Sequence, residues 1–323
     1  MKAAVMSQSG GRPHYVDFPE PIVKNEGEML IHVKAAAIKH IDRSIASGQH
    51  YSAQASSTEQ AKVIGGDGVG VLADGTRVYG IGSGMIAQQA IIDKDRIVTI
   101  PANLDDASAA ALANAVIGAA MGLRFRADLQ PGDTVLINGA TGFTGRVAVQ
   151  IARYYGAKKV IATGRNPKSL PALLGLGADE VISVQQDDDD FVAQIQGLHN
   201  RTPIDVIIDY LWGHSAELLL TSLKGKGSFT HRTRFVSVGS VTGDTLHLSA
   251  ATLRSVNLQL AGSGLGSWTK QEVRLLFSEI LPEMFQLAAD GRLKVDTVTV
   301  PLVDIEQIYD TPIGDGQRLV VLI

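Results

Sequence analysis

Two stretches of this chain carry residue types and spacings with a direct chemical reading. The first is Gly139-Ala140-Thr141-Gly142-Phe143-Thr144-Gly145. The apolar run Val135-Leu136-Ile137-Asn138 precedes it, and the amphipathic run Arg146-Val147-Ala148-Val149-Gln150-Ile151-Ala152 follows. Glycines three apart between a buried-type strand and a helix suit the pyrophosphate of a dinucleotide. Gly139 permits a tight exit from the strand, Gly142 removes a Cβ from the path of the phosphate, and Gly145 lets the helix pack close to the sheet. The free N–H groups of the first helical turn then face the anion. The alternative is a purely structural turn. A P-loop is excluded, because no Gly-Lys-Ser/Thr closes the motif.

The second stretch is Thr163-Gly164-Arg165-Asn166-Pro167-Lys168. It falls about 20 residues on, at the expected end of the second strand, where an Asp or Glu would bind the ribose hydroxyls of NAD. Here the acid is missing and two cations are present. Arg165 can stack on adenine or grip a 2′-phosphate, with Lys168 assisting, so NADPH is the expected cofactor; the alternative is a solvated loop with two ordinary cations. The Asp187–Asp190 run has a plainer reading: acids gather at a helix N-terminus because its dipole favours them; a metal site is the alternative, against which adjacent Asp side chains point in different directions.

The chain has 323 residues, a net charge of −4, 45% hydrophobic and 19% charged residues, and no cysteine. That composition belongs to a globular protein, and the length suffices for two modest domains or for one large domain with a long excursion. Disulfides, thiolate zinc sites, iron–sulfur clusters and a cysteine nucleophile are excluded, and an acidic balance argues against nucleic-acid binding. No apolar run reaches the ~18–20 residues of a membrane-spanning helix, and the polar start after Met6 does not resemble a secretory signal. The cytoplasm is the expected location.

The elements that must position these groups change character along the chain. Short alternating runs at Lys2–Ser7, Met29–Ala37, Val69–Leu72, Arg77–Ile81 and Ile86–Asp93 predict a small, mostly antiparallel barrel or sandwich, with a helical insertion at His40–Ser47 and a polar loop at Ser52–Lys62. Asp105–Arg126 is Ala- and Leu-rich and predicts a helix. From Thr134 the pattern alternates strictly: strands 134–138, 160–163, 181–184, 206–209, 235–239 and 258–263, with helices 146–155, 169–176, 190–198 and 215–223 between them. Apolar strands separated by helices predict a parallel sheet covered on both faces. One more helix, Lys270–Ala289, leads to runs at Thr297–Pro301 and Leu319–Ile323, which could return to the N-terminal barrel.

Lys39-His40-Ile41-Asp42, Gly65-Gly66-Asp67-Gly68-Val69-Gly70, Leu129-Gln130-Pro131-Gly132-Asp133 and the stretch Gly139–Ala152 together resemble the medium-chain dehydrogenases/reductases, in their zinc-free quinone oxidoreductase (zeta-crystallin-like) branch. The likeness covers nearly the whole chain and is most specific from Leu129 to Ala152. It implies an α/β fold: a Rossmann-type doubly wound parallel sheet over 115–265, and a discontinuous GroES-like, mostly β catalytic domain over 1–114 and 266–323. In zinc-dependent relatives three positions ligate a catalytic zinc; the matching residues here are Lys39, Gly66 and Asn114, and none supplies a thiolate or imidazole. The resemblance therefore implies a zinc-free site. Without a metal to polarise an alcohol, quinones and activated enones are the easier hydride acceptors.

By the same matching, Tyr51, Lys39 and His40 are the candidate catalytic residues. Tyr51 stands one residue later than in the relatives' Gly-x-Tyr pattern. Lys39 could cap a substrate oxygen or pair with Asp42 or Asp67. Asn114, Gly118, Thr141, Gly142, Phe143, Thr144, Gly164, Arg165, Lys168, Tyr210, Gly239, Ser240, Gly264 and Leu265 are the candidate cofactor contacts. Strand Leu258–Ser263 matches the edge through which relatives form homodimers. The implied activity is NADPH-dependent reduction of quinones or similar electrophiles. The alternatives are reduction of α,β-unsaturated carbonyls or enoyl thioesters, and, in another class, non-catalytic NADPH binding.

Overall fold

The computed structural model describes residues 1–7, 11–48, 61–225 and 229–323. In chain order the elements are strands β1 (Lys2–Met6), β2 (His14–Asp17) and β3 (Glu28–Ile38), helix α1 (His40–Ala46), strands β4 (Lys62–Val63), β5 (Asp67–Val71), β6 (Arg77–Ser83) and β7 (Gln89–Thr99), and helix α2 (Asp106–Met121). Then come β8 (Thr134–Asn138), α3 (Phe143–Tyr154), β9 (Lys159–Gly164), α4 (Pro171–Leu174), β10 (Glu180–Ser183), α5 (Asp188–Arg201), β11 (Val206–Asp209), α6 (Gly213–Ser222) and β12 (Thr233–Ser237). The chain ends with α7 (Ala250–Ser255), β13 (Leu258–Gly262), α8 (Lys270–Leu275), α9 (Leu281–Ala289), β14 (Asp296–Pro301), α10 (Ile305–Ile308) and β15 (Gln317–Leu322).

Two compact units result, one of Met1–Asn114 with Phe277–Ile323 and one of Ala115–Leu276. The first holds a small β2-β1-β4 sheet and a six-stranded sheet in the order β14-β15-β3-β5-β6-β7, with β3 also pairing β7. The C-terminal strands do return to the N-terminal sheet: β15 lies antiparallel to β3, with Val320 opposite Ala37. Gly70 and Gly82 are demanded by close approach here, since a Cβ would stand 2.3 Å from the His32 carbonyl oxygen and 2.1 Å from that of Ile91. Ile31, Val33, Val78, Ile92, Leu319 and Val321 form the core of this unit.

The second unit is a parallel sheet in the order β10-β9-β8-β11-β12-β13. Strands β8, β9 and β11 are almost wholly buried, as expected of strands covered on both faces. Leu136, Ile161, Phe191, Ile207, Leu219 and Phe235 pack between sheet and helices. The strand order reverses between β8 and β11. In open α/β sheets that reversal opens a crevice at the strands' carboxyl ends, where ligands bind.

Four details bear on the sequence expectations. Helix α3 begins at Phe143 rather than Arg146, inside the glycine motif. The acidic run does open a helix, with Asp188, Asp189 and Asp190 in the first turn of α5. The expected helix over 270–289 is helical throughout those bounds, but its backbone widens to a π turn over Leu276–Ile280 between α8 and α9, with Pro282 in the first turn of α9; proline supplies no N–H for a regular ladder. Helix α2 with its continuation to Arg126 is long and apolar enough to cross a membrane, but 78% of that window is buried, as in a core helix.

Candidate functional site

Apart from Asn114 and Gly118 on α2, the candidate cofactor residues lie at the carboxyl ends of five strands of the parallel sheet: Gly139 to Gly145 after β8, Gly164 to Lys168 at and after the end of β9, Tyr210 after β11, Gly239 and Ser240 after β12, and Gly264 and Leu265 after β13. A row of polar residues closes the apolar strands at this end. Asp209 stands opposite Asn138 in register, and Asn138 opposite Thr163. The Asn138 amide donates to Asp209 Oδ1 at 2.7 Å and to Ser215 Oγ at 2.9 Å, and Thr163 Oγ1 donates to Asn138 Oδ1 at 2.6 Å. Asp209 also accepts the backbone N–H groups of Leu211 and Trp212 at 3.1 and 3.0 Å. Burial pushes the Asp209 carboxyl above its ordinary value, opposed by these hydrogen bonds to its ionised form. Trp212, at φ 60°, is a bulky residue in the left-handed region; the two bonds to Asp209 and the Thr242 hydroxyl bond to the Trp212 carbonyl brace it there. None of these partners is legible in the sequence, because the row exists only once strand register is known.

The glycines of the turn have separate reasons. Gly139 lies at φ +85°, which an L side chain rarely adopts. Gly145 proves necessary for clearance above its own turn, since a Cβ would sit 2.4 Å from the Gly139 carbonyl oxygen and 2.6 Å from Ala140 Cα. Gly142 is different: its φ is −72°, it is exposed, and a Cβ there would meet nothing closer than 3.7 Å. The fold does not require a glycine at 142. A ligand approaching the N-terminus of α3 would, so the cradle fits a pyrophosphate.

Tyr210 provides a second observation of fit. Its side chain is buried, and its hydroxyl has no hydrogen-bond partner among the described residues. Burial, and then the charge of Asp209, hold this phenol protonated, well above the ordinary tyrosine range. A buried hydroxyl without a partner is costly. Its ring borders Gly118, where a Cβ would also meet Thr144 Cγ2 at 3.4 Å and Val238 Cγ1 at 3.6 Å, so Gly118, Thr144 and Tyr210 are neighbours. From Ala109 to Leu123 only Asn114 and Gly118 are not fully buried, and they lie one turn apart on one face of α2. Gly239 abuts the Tyr210 carbonyl oxygen, 2.8 Å from where its Cβ would be. Phe143 is buried, and Leu265 is 56% exposed.

After β9, Gly164 packs against Thr141: a Cβ at 164 would come within 2.3 Å of Thr141 Cγ2. Its smallness therefore has a packing reason. Asn166 Oδ1 accepts the Lys168 backbone N–H at 3.0 Å, which shapes the loop. Arg165 and Lys168 are exposed, and neither side chain has an ion-pair or hydrogen-bond partner among the described residues.

In the other unit, Lys39 follows β3 and its backbone N–H donates to Asp42 Oδ2 at 2.9 Å at the start of α1. Its ammonium, 3% exposed, pairs with Asp67, with Asp42 at 2.9 Å, and with the Ala37 carbonyl oxygen at 3.1 Å. Both carboxylates that the sequence offers as partners are used. Burial alone would lower the Lys39 pKa, but Asp42 and Asp67 outweigh it and hold it above the ordinary value. Burial raises the Asp42 carboxyl. The Tyr79 hydroxyl donates to Asp67 Oδ2 at 2.7 Å. Nearby, burial brings the Arg318 guanidinium down to about 10, against the pull of Asp42 and Asp67. His40 is exposed at the start of α1. Tyr51 lies outside the described residues.

Residues 144–282 match the family of zinc-binding dehydrogenases. Among solved structures, the chain superposes over its full length on the Escherichia coli quinone oxidoreductase complexed with NADPH (TM-score 0.84, 23% identity, 100% of both chains). It does so also on the Thermus thermophilus quinone oxidoreductase (TM-score 0.76, 25% identity, 100% of both chains). A probable NADPH-dependent quinone reductase of Emericella nidulans, tdiC, is 24% identical over 99% of each chain. The polyketide synthase component PikAII of Streptomyces venezuelae is 29% identical over 87% of this chain, which spans 7% of that protein's length. The chain therefore shares the fold of these quinone oxidoreductases, and its residues 144–282 are similar to the zinc-binding dehydrogenases.

The family's name implies zinc, and the residues present do not fit it. Lys39 ends in an ammonium already held by two carboxylates. Gly66 has no side chain to offer. Among the described residues no three His, Asp or Glu side chains converge as a metal would need.

Proposed function

We propose that this protein is an NADPH-dependent, zinc-independent reductase that delivers hydride to quinones or related electrophilic carbonyl compounds. The observation that carries the reading is the Lys39 cluster: at the position matching the relatives' first zinc ligand stands a cation paired with Asp42 and Asp67. Carbonyl polarisation then falls to hydrogen bonds, which suffices for acceptors whose developing charge is delocalised.

Bound NADPH would supply the hydride. The chain's own residues bind, orient and protonate. Backbone N–H groups at the start of α3 receive the pyrophosphate over Gly142. Arg165 and Lys168 receive the 2′-phosphate, Arg165 by paired N–H donors. Tyr210, with Gly118 and Thr144 beside it, offers its unpartnered hydroxyl toward the bound cofactor. Lys39 has three N–H donors, and three acceptors already surround it. It therefore anchors the start of α1 and places His40. The proton that follows the hydride comes from solvent, Tyr51 or His40. The exposed edge strand β13, paired with β12 alone among the described residues, serves as the homodimer seam in this reading.

A second reading is favoured by the polyketide synthase relatives, at 29–30% identity over most of this chain: reduction of an α,β-unsaturated thioester. Steady-state turnover with NADPH separates the two. Quinones are expected to exceed alkenals and enoyl-thioesters in kcat/KM by at least about tenfold, a difference of ~1.4 kcal/mol in transition-state binding. The opposite order assigns the thioester. NADPH binding without turnover of any acceptor assigns a non-catalytic binding protein.

A further inference from the structure

The glycine motif accounts for backbone contacts and the loop after β9 accounts for two cations. A third cation stands between them. Arg146 is the fourth residue of α3, and its side chain turns back over the motif so that Nε donates to the Thr141 carbonyl oxygen at 3.2 Å. Its two terminal amino groups have no partner among the described residues. Other arginines of the same unit are used differently: Arg126 pairs with Glu272, Arg153 with Asp179 and Arg234 with Asp133. Arg146 is half-buried, held at one nitrogen, and free at the fork that best matches a phosphate.

Its anchor points it toward one phosphate. Thr141 is the residue whose side chain packs on Gly164, and Gly164 leads directly into Arg165. The backbone carbonyl that holds Arg146 and the loop that carries Arg165 and Lys168 therefore meet at a single residue. The pyrophosphate cradle, at Gly142 and the start of α3, is already served by backbone N–H groups. We propose that Arg146 is a specificity-determining residue that grips the 2′-phosphate of NADPH together with Arg165 and Lys168. This rests on the NADPH reading above and extends it: the site is a three-cation clamp, with its most rigid member on helix α3 rather than on the loop.

Direct binding tests the assignment without relying on turnover. Dissociation constants for NADPH and NADH are measured calorimetrically with the wild-type chain and with Arg146→Met and Arg146→Lys. Arg146→Met is expected to weaken NADPH about tenfold, while NADH changes by less than about twofold, since only one ligand carries the contacted group. Arg146→Lys keeps the charge and should retain most of the NADPH preference, and its melting temperature checks that the turn survives loss of the Nε bond. Equal weakening of both cofactors in Arg146→Met, or no weakening of either, overturns the proposal. A wild-type chain that binds NADH as tightly as NADPH overturns the underlying cofactor reading as well, and that arm is read before any variant.

Discussion

Lys39→Met is expected to cost about 3–5 kcal/mol of stability, because it leaves two buried carboxylates facing each other with their shared cation gone. Asp42 and Asp67 are both nearly buried, at 10% and 8% side-chain exposure. Methionine fills a similar volume, so the loss reflects charge rather than a cavity. A thermal melt of the first unit should fall by roughly 10 °C. Adding Asp67→Asn to Lys39→Met removes one of the uncompensated charges and should recover part of the loss, a non-additivity expected only of groups in direct contact. The sign with pH also follows. The Lys39 pKa is raised on folding, so its contribution is complete below the ordinary lysine value of 10.5 and is lost as the pH rises through the higher folded value. A Lys39→Met protein melting within a degree or two of wild type would remove the cluster from any structural role.

Arg165→Ala is expected to weaken NADPH by about 10- to 100-fold and NADH by less than about twofold. A charge-assisted, paired hydrogen bond to a phosphate contributes ~1.5–3 kcal/mol, and NADH lacks the group that Arg165 would hold. The side chain has no partner to lose among the described residues, so stability should change by no more than ~0.5 kcal/mol. Fluorescence titration of both cofactors, beside a melting curve, reads all three quantities. Equal losses for the two cofactors would move Arg165 from the phosphate to the adenine face.

Much of this is legible from residues alone. The alternation from Thr134 to Gly262 is readable because its central strands β8, β9 and β11 are built on unbroken apolar runs, and the glycine motif is readable because its neighbours fix it between strand and helix. The weaker elements hide for equally physical reasons. Strand β2 (His14–Asp17) is polar and largely exposed, held by pairing with β1 rather than by any burial pattern. Strand β4 is two residues long. Lys39 illustrates the limit for the site: the sequence offers Asp42 and Asp67 as alternatives, and only three-dimensional proximity reveals that one ammonium serves both. Asp209, Asn138 and Thr163 lie far apart along the chain and meet only through register. Arg146 reads from the sequence as the start of a helix, and its grip on Thr141 depends on where α3 begins, three residues earlier than the pattern suggests.

In the proposed reading the protein is a reductase that uses NADPH and needs no metal. The most direct measurement is the loss of NADPH absorbance with a quinone, on protein exhaustively treated with a chelator and desalted, beside the same assay with NADH. The expected result is turnover unchanged by chelation and by added zinc, with kcat/KM for NADPH at least about tenfold above that for NADH. Activity that disappears on chelation and returns with zinc, or that runs equally well on NADH, would contradict it.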